Sequence, residues 1–167
     1  MKAIVKGSLV IAGYVLAFLI AIGVVSLYVA HTNGPDRQTY GAMYAFGDSL
    51  LFLAVFGVVA SAPTGAALFF LRPYRAFWRV LPVVVSGIVA TSLAACVIYT
   101  IARTAPPPVH IWAAAAVLRI LMAPLVALTL LLSGLFSPSR HLRIGLLFAA
   151  AIEAAVFAFY VAFLWRH

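Results

Sequence analysis

Five long apolar stretches, separated by short loops, dominate this chain and leave little else from which to build a fold. They cover residues 8–30, 49–71, 80–102, 111–136 and 144–165. Each stretch has at least 22 residues. At the helical rise each would extend roughly 33 Å, enough to cross a hydrocarbon core of about 30 Å. The sequence therefore predicts an all-α integral membrane bundle of five transmembrane helices.

The composition favours the same architecture. Apolar residues make up 66% of the chain and charged residues 8%, whereas an ordinary soluble domain has about 25% charged residues. No stretch outside the five spans exceeds 18 residues, so we expect one transmembrane domain over residues 1–167 and no extramembrane domain. The first apolar run, of 23 residues, is longer than the core of a signal peptide, which predicts a retained helix.

Lysine and arginine residues fall mainly on alternate sides of the predicted spans. The N-terminus, residues 72–79 and residues 137–143 hold seven of them, whereas residues 31–48, residues 103–110 and the C-terminus hold three. Basic residues in short loops favour the cytoplasmic side, which predicts that the N-terminus is inside and the C-terminus outside. The basic residues expected to contact cytoplasmic lipid headgroups are Arg72, Arg75, Arg79, Arg140 and Arg143.

This placement also accounts for the net charge of +8. In a soluble protein such a charge would suggest a nucleic-acid partner, but basic residues beside membrane spans are explained by headgroups and topology. We expect the partner to be the lipid bilayer rather than nucleic acid. We expect a multi-pass protein of a cell membrane, and the sequence favours a bacterial inner membrane.

Two prolines lie near the middle of predicted spans, Pro63 in the second and Pro124 in the fourth. Proline removes a backbone donor and crowds the preceding turn, so both positions are predicted helix kinks. Broken helices in matching positions of a duplicated unit are typical of transporter binding sites. The alternative is that proline is simply common in transmembrane helices.

Small residues recur at every fourth position in several spans. Such a step stays near one helix face and lets two backbones approach closely. We expect packing within the chain, with contact to other membrane subunits or self-association as the alternative, above all through the first span. The ladders are Gly13, Ala17 and Ala21; Gly57, Ser61 and Gly65; Gly87, Thr91 and Ala95; and Ala150, Ala154, Ala158 and Ala162.

Arg119 and Glu153 are the two charged residues well inside predicted spans. Arg119 lies roughly 10 Å below the outer end of the fourth span, and Glu153 roughly 18 Å below that of the fifth. Two long side chains can bridge the difference of about 8 Å along the membrane normal. The sequence predicts an intramembrane ion pair, or a protonated Glu153; a proton or substrate path and contact with another subunit are the alternatives.

Metal, redox and cofactor chemistry find little support in the sequence. Cys96 is the only cysteine, which excludes an intrachain disulfide and predicts a packing role. The polar segment 31–40 and the histidines offer no pair at the helical spacing of a metal site. We therefore expect neither a metal nor a cofactor.

Gly47-Asp48-Ser49-Leu50 spells the motif of the GDSL hydrolases, in which the serine is a nucleophile. That motif belongs to a soluble α/β fold and is completed by a later Asp-x-x-His, which this chain lacks. We expect Asp48 or Ser49 to cap the second helix instead, and we expect no enzyme and no catalytic residues.

The sequence favours a non-enzymatic accessory or assembly subunit of a larger membrane complex. The alternative is a small transporter or channel that uses Pro63, Pro124, Arg119 and Glu153. A lipid-modifying enzyme is a more distant third, because its chemistry needs several histidines or acids at one interface.

Overall fold

A computed structural model describes residues 3–102 and 110–164, and every element in these two ranges is an α-helix. A helix bonds its own backbone groups internally, which an apolar chain needs wherever water is absent. The elements are α1 (Ala3–His31), α2 (Pro35–Thr39), α3 (Gly41–Leu71), α4 (Arg75–Ala102), α5 (His110–Leu121), α6 (Ala123–Phe136) and α7 (Arg140–Leu164).

Four of these helices, α1, α3, α4 and α7, are long and apolar enough to cross a membrane. Helices α5 and α6 meet that test only together, as a pair bent by 41°. The described chain therefore has four membrane-length helices, or five if the bent pair forms one span. The predicted end of the last span at residue 165 lies outside the described residues.

The second predicted span begins earlier than expected. Helix α3 begins at Gly41, so Asp48 and Ser49 lie two turns inside the helix and cap nothing. The Ser49 hydroxyl donates to the carbonyl of Ala45, 2.8 Å away. The capping prediction was wrong because the half-polar turns before residue 49 are also helical, which an apolar window does not detect.

The chain divides into two compact units, Met1–Phe70 and Leu71–His167. In the first unit α1 and α3 run antiparallel, since contacts near the start of one helix meet the end of the other. Lys6 lies over the ring of Phe70 at 5.3 Å, and the Tyr14 and Thr64 hydroxyls are 2.7 Å apart. The ring of Phe18 packs edge-on against that of Phe52 at 5.7 Å.

In the second unit α4 and α7 run parallel, and α5 and α6 run against them. Ser92 of α4 bonds Glu153 of α7, while Pro82 and His141, near the two N-termini, line one common cavity. The preceding helix α6 packs antiparallel on α7, where a Cβ added at Gly134 would lie 3.2 Å from Leu147. Helices α5 and α6 therefore run in the same direction as each other and opposite to α4 and α7, as the two halves of one broken crossing would.

The break between α5 and α6 lies at Met122, two residues before Pro124. Proline has no N–H, so the carbonyl of Ile120 loses its usual donor in the next turn. The Met122 N–H still donates to the Leu118 carbonyl at 3.1 Å, so the helical hydrogen-bonding pattern continues as far as the bend. Pro63, in contrast, lies inside an unbroken α3.

Candidate functional site

The structure brings Arg119 of α5 and Glu153 of α7 together inside the second unit. The Glu153 side chain is fully buried, and that of Arg119 is 20% exposed. Burying a single unpaired charge costs several kcal/mol of free energy, and a partner of opposite charge at close range lowers that cost.

The two side chains meet in a fork-to-fork geometry. Nη2 of Arg119 donates to Oε1 of Glu153 at 2.7 Å, and Nη1 donates to Oε2 at 3.2 Å. Two parallel charge-assisted bonds fix both the distance and the relative orientation of the planar groups. The pair therefore joins α5 to α7 at one defined register.

Helix α4 supplies the remaining partners of the pair. The Ser92 hydroxyl, also fully buried, donates to Oε2 of Glu153 at 3.0 Å. Nε of Arg119 donates to the Thr91 hydroxyl at 3.2 Å, and Nη2 donates to the Ile88 carbonyl at 3.0 Å. Donors and acceptors from three helices thus satisfy one ion pair.

Small residues beside the pair allow this close approach. Ala95 of α4 and Ala116 of α5 are buried in one cluster with Ile120 and Val156. Alanines at the contact bring the helix backbones near enough for the polar side chains to reach one another. The attraction within the pair is stronger than in water, because the Glu153 side chain is fully buried.

The hydrogen bonds of the ion pair connect α4, α5 and α7 through polar side chains. Both carboxylate oxygens of Glu153 accept bonds from the chain itself, and all three guanidinium nitrogens of Arg119 donate. Among the described residues no group of three histidine, cysteine or acidic side chains is placed to hold a metal ion.

The predicted headgroup arginines all lie on the surface of the second unit. Arg72 lies in the turn before α4, and Arg75 and Arg79 lie in the first two turns of that helix. Arg140 and Arg143 lie in the first turn of α7. All five are exposed, and since α4 and α7 are parallel, the last four lie at the same end of the unit.

The two predicted kink residues have different surroundings. Pro63 is buried, and its Cβ lies 2.8 Å from the place a Cβ on Gly13 would occupy. Pro124 is exposed in the first turn of α6. Among the described residues no hydrogen bond joins Pro124 to the Arg119–Glu153 pair.

Two polar contacts were missed at the sequence level. The sequence does not mark Ser92, because serine is common in apolar spans and its partner Glu153 lies 61 residues away. Arg37 and Asp48 form a second ion pair, with Arg37 also over the ring of Tyr44 at 5.1 Å. The early start of α3 places Asp48 there, and no local signal shows that start.

Comparisons with protein families, with curated proteins and with solved structures give no match for this chain.

Proposed function

We propose that this chain is a non-enzymatic multi-pass membrane protein that serves as an accessory or assembly subunit of a larger membrane complex. The proposal rests on one observation, the Arg119–Glu153 ion pair, in which both charged groups bond partners within the chain. A transport site needs a group that can exchange its partners, whereas both carboxylate oxygens of Glu153 are occupied by donors of the chain itself.

The exposed small residues of α7 supply the surface for a partner. Ala154, Ala158 and Ala162 follow one another at four-residue steps, and all three are exposed. Such a face lets a second helix approach closely in the bilayer. The ladder of α1 is used within the chain, because Ala17 and Ala21 are fully buried.

For the membrane arrangement we propose five crossings, with the N-terminus inside and the C-terminus outside, in a bacterial inner membrane. The alternation of basic residues supports this orientation. The parallel course of α4 and α7 agrees with it, because it places Arg75, Arg79, Arg140 and Arg143 at one end of the second unit. One broken crossing by α5 and α6 completes the count.

The test is purification of a tagged chain at its native expression level after gentle detergent extraction. We expect other membrane proteins to co-purify in fixed proportion, and Ala158→Leu to reduce their recovery. The matched control is Ala94→Leu on α4, another exposed alanine, which should leave recovery unchanged. A chain that purifies alone from native membranes would contradict the proposal.

The second candidate is a small transporter or channel, and one observation favours it. The break at Met122 lies three residues after Arg119, so an interrupted helix stands beside a charge inside the second unit. Broken helices next to buried charges are typical of transporter binding sites. One such chain encloses little volume, so this candidate requires a homo-oligomer and a measurable flux in proteoliposomes of the chain alone.

A further inference from the structure

An apolar groove runs along the surface of the second unit between α4 and α7. Its volume is about 610 Å³, and its walls include Val85 and Leu93 of α4 and Leu146 and Ile152 of α7. It lies on the side of the Ser92–Glu153 contact that leads towards the N-termini of both helices. This space, here called the α4–α7 groove, takes no part in the ion-pair network.

The length of the groove matches one leaflet of a bilayer. On α4 it extends from Pro82 to Leu93, which is about 17 Å at the helical rise. Half of a hydrocarbon core of about 30 Å is about 15 Å. A single acyl chain that entered at the interface would reach the end of the groove at mid-membrane.

Basic residues continue the groove at its N-terminal end. Arg79 and Arg75 lie three and seven residues before Pro82, a spacing that keeps them on the groove face of α4. His141 lines the groove on α7. Both arginines are exposed, and among the described residues no carboxylate lies within ion-pair distance of either. An apolar slot that ends at two uncompensated cations is complementary to a lipid with a negative headgroup.

We propose that the α4–α7 groove binds one anionic phospholipid, with an acyl chain between the helices and its phosphate at Arg75 and Arg79. The proposal rests on a membrane location for the second unit and not on a role as an assembly subunit. It differs from general attraction to headgroups because it assigns the two groove-face arginines a function that the other arginines lack.

Arg140 and Arg143 provide a matched control for charge. Arg143 lies two residues before Gly145, on the opposite face of α7, and its carbonyl is 3.6 Å from a Cβ added at Gly134 of α6. Arg140, five residues before Gly145, also lies away from the groove face. Replacing either arginine pair removes the same net charge from the same end of the unit.

Gly145 and Gly87 provide a matched control for shape. Gly145 lines the groove, and a Cβ added there meets nothing within 4 Å. Gly87 of α4 is equally open but is not part of the groove lining. Gly145→Leu should therefore fill the groove without a backbone clash, whereas Gly87→Leu adds the same bulk elsewhere.

The experiment exchanges the purified full chain into mixed micelles of phosphatidylglycerol and phosphatidylcholine with identical acyl chains, and counts retained lipids by native mass spectrometry. We expect one retained phosphatidylglycerol per chain. Its affinity should fall about fivefold for each arginine removed in Arg75→Gln/Arg79→Gln, and should stay unchanged in Arg140→Gln/Arg143→Gln. Gly145→Leu should abolish retention and Gly87→Leu should preserve it.

Equal losses in the two arginine double variants would overturn the proposal in favour of diffuse surface attraction. Retention of phosphatidylcholine to the same extent would overturn the role of the negative headgroup, and retention in a folded Gly145→Leu would overturn the groove as the site. Circular dichroism and size exclusion report folding. If Gly145→Leu does not fold, the comparison of the two arginine pairs, which are exposed and near helix ends, decides the matter.

Discussion

Ser92 and Glu153 lie 61 residues apart in the chain and are joined by a hydrogen bond of 3.0 Å between two fully buried side chains. The bond ties α4 directly to α7 beside the Arg119 fork. Because the Ser92 hydroxyl donates to Oε2, Ser92 and Arg119 together stabilise the negative charge of Glu153. A neutral residue thus belongs to the ion-pair network.

The Ser92→Ala variant tests the contribution of this hydroxyl. It leaves Oε2 of Glu153 with one donor instead of two, and we expect the free energy of unfolding to fall by about 1 kcal/mol. Ser86→Ala is the control, because the Ser86 hydroxyl is exposed and donates to the Pro82 carbonyl of its own helix. Thermal unfolding in detergent measures both, and equal effects would show that the Ser92 bond contributes no more than a bond within one exposed helix.

A double-mutant cycle tests the ion pair itself. Arg119→Met or Glu153→Leu alone leaves a charge without its partner inside the unit, which costs about 3–5 kcal/mol for a buried pair. The double variant replaces both charges by apolar side chains, and we expect it to be more stable than either single variant. Thermal unfolding and yield provide the readouts.

Arg143→Met serves as the control for the cycle, since it removes an arginine that is exposed in the first turn of α7. It should change stability by no more than about 0.5 kcal/mol. Simple additivity of the Arg119 and Glu153 substitutions would mean that the two side chains do not act as a pair.

The helices were predictable from the sequence because hydrocarbon thickness sets the length of an apolar helix. The proximity of Arg119 and Glu153 was also readable, since helical rise converts residue counts into depths. The hydrogen-bond partners of the pair on α4 could not be predicted. These helices carry apolar residues on all faces, so the sequence pattern does not show which face of α4 packs against α7. Nothing in the sequence distinguishes Ser92 from other serines in apolar spans.

Helix ends and interruptions were harder to predict for a different reason. The start of α3 at Gly41 depends on half-polar turns that hydropathy does not separate from a loop. Pro63 and Pro124 occur in similar sequence contexts, yet only the chain near Pro124 divides into two helices. The two sites differ in burial, since Pro63 is buried at the close approach to Gly13 whereas Pro124 is exposed. Burial alone does not decide the outcome, because Pro82 is also exposed and lies inside an unbroken α4.

That close approach gives a prediction for the first unit. A Cβ at Gly13 would lie 2.8 Å from Cβ of Pro63, so α1 or α3 must shift to accept it. We expect Gly13→Ala to lower the free energy of unfolding by about 1–3 kcal/mol. Gly7→Ala and Gly23→Ala on the same helix meet nothing within 4 Å and should raise stability by up to about 1 kcal/mol, because alanine is the better helix former. Equal thermal midpoints for all three variants would contradict this packing.

The proposed orientation is open to a direct test with a reporter that is active only in the cytoplasm. The basic residues favour the cytoplasmic side, so fusions after Arg75 and Arg143 should be active and fusions after Asp36 and His167 inactive. Immunoblots of each fusion control for expression. An active fusion after His167 would exclude five crossings with the N-terminus inside.

The Glu153→Gln variant separates the two candidate functions. Glutamine keeps the size and the hydrogen-bonding ability of glutamate but cannot titrate, so a proton path through this residue would stop while the fold survived. If Glu153 is structural, the same change leaves Arg119 without its counter-charge inside the unit, and we expect lower stability or lost assembly. The measurements are expression level, thermal stability and pH-gradient-driven flux in proteoliposomes. Because Glu153 already accepts three bonds from Arg119 and Ser92, we expect the structural outcome. A stable Glu153→Gln protein that lost a flux present in the wild type would instead establish transport.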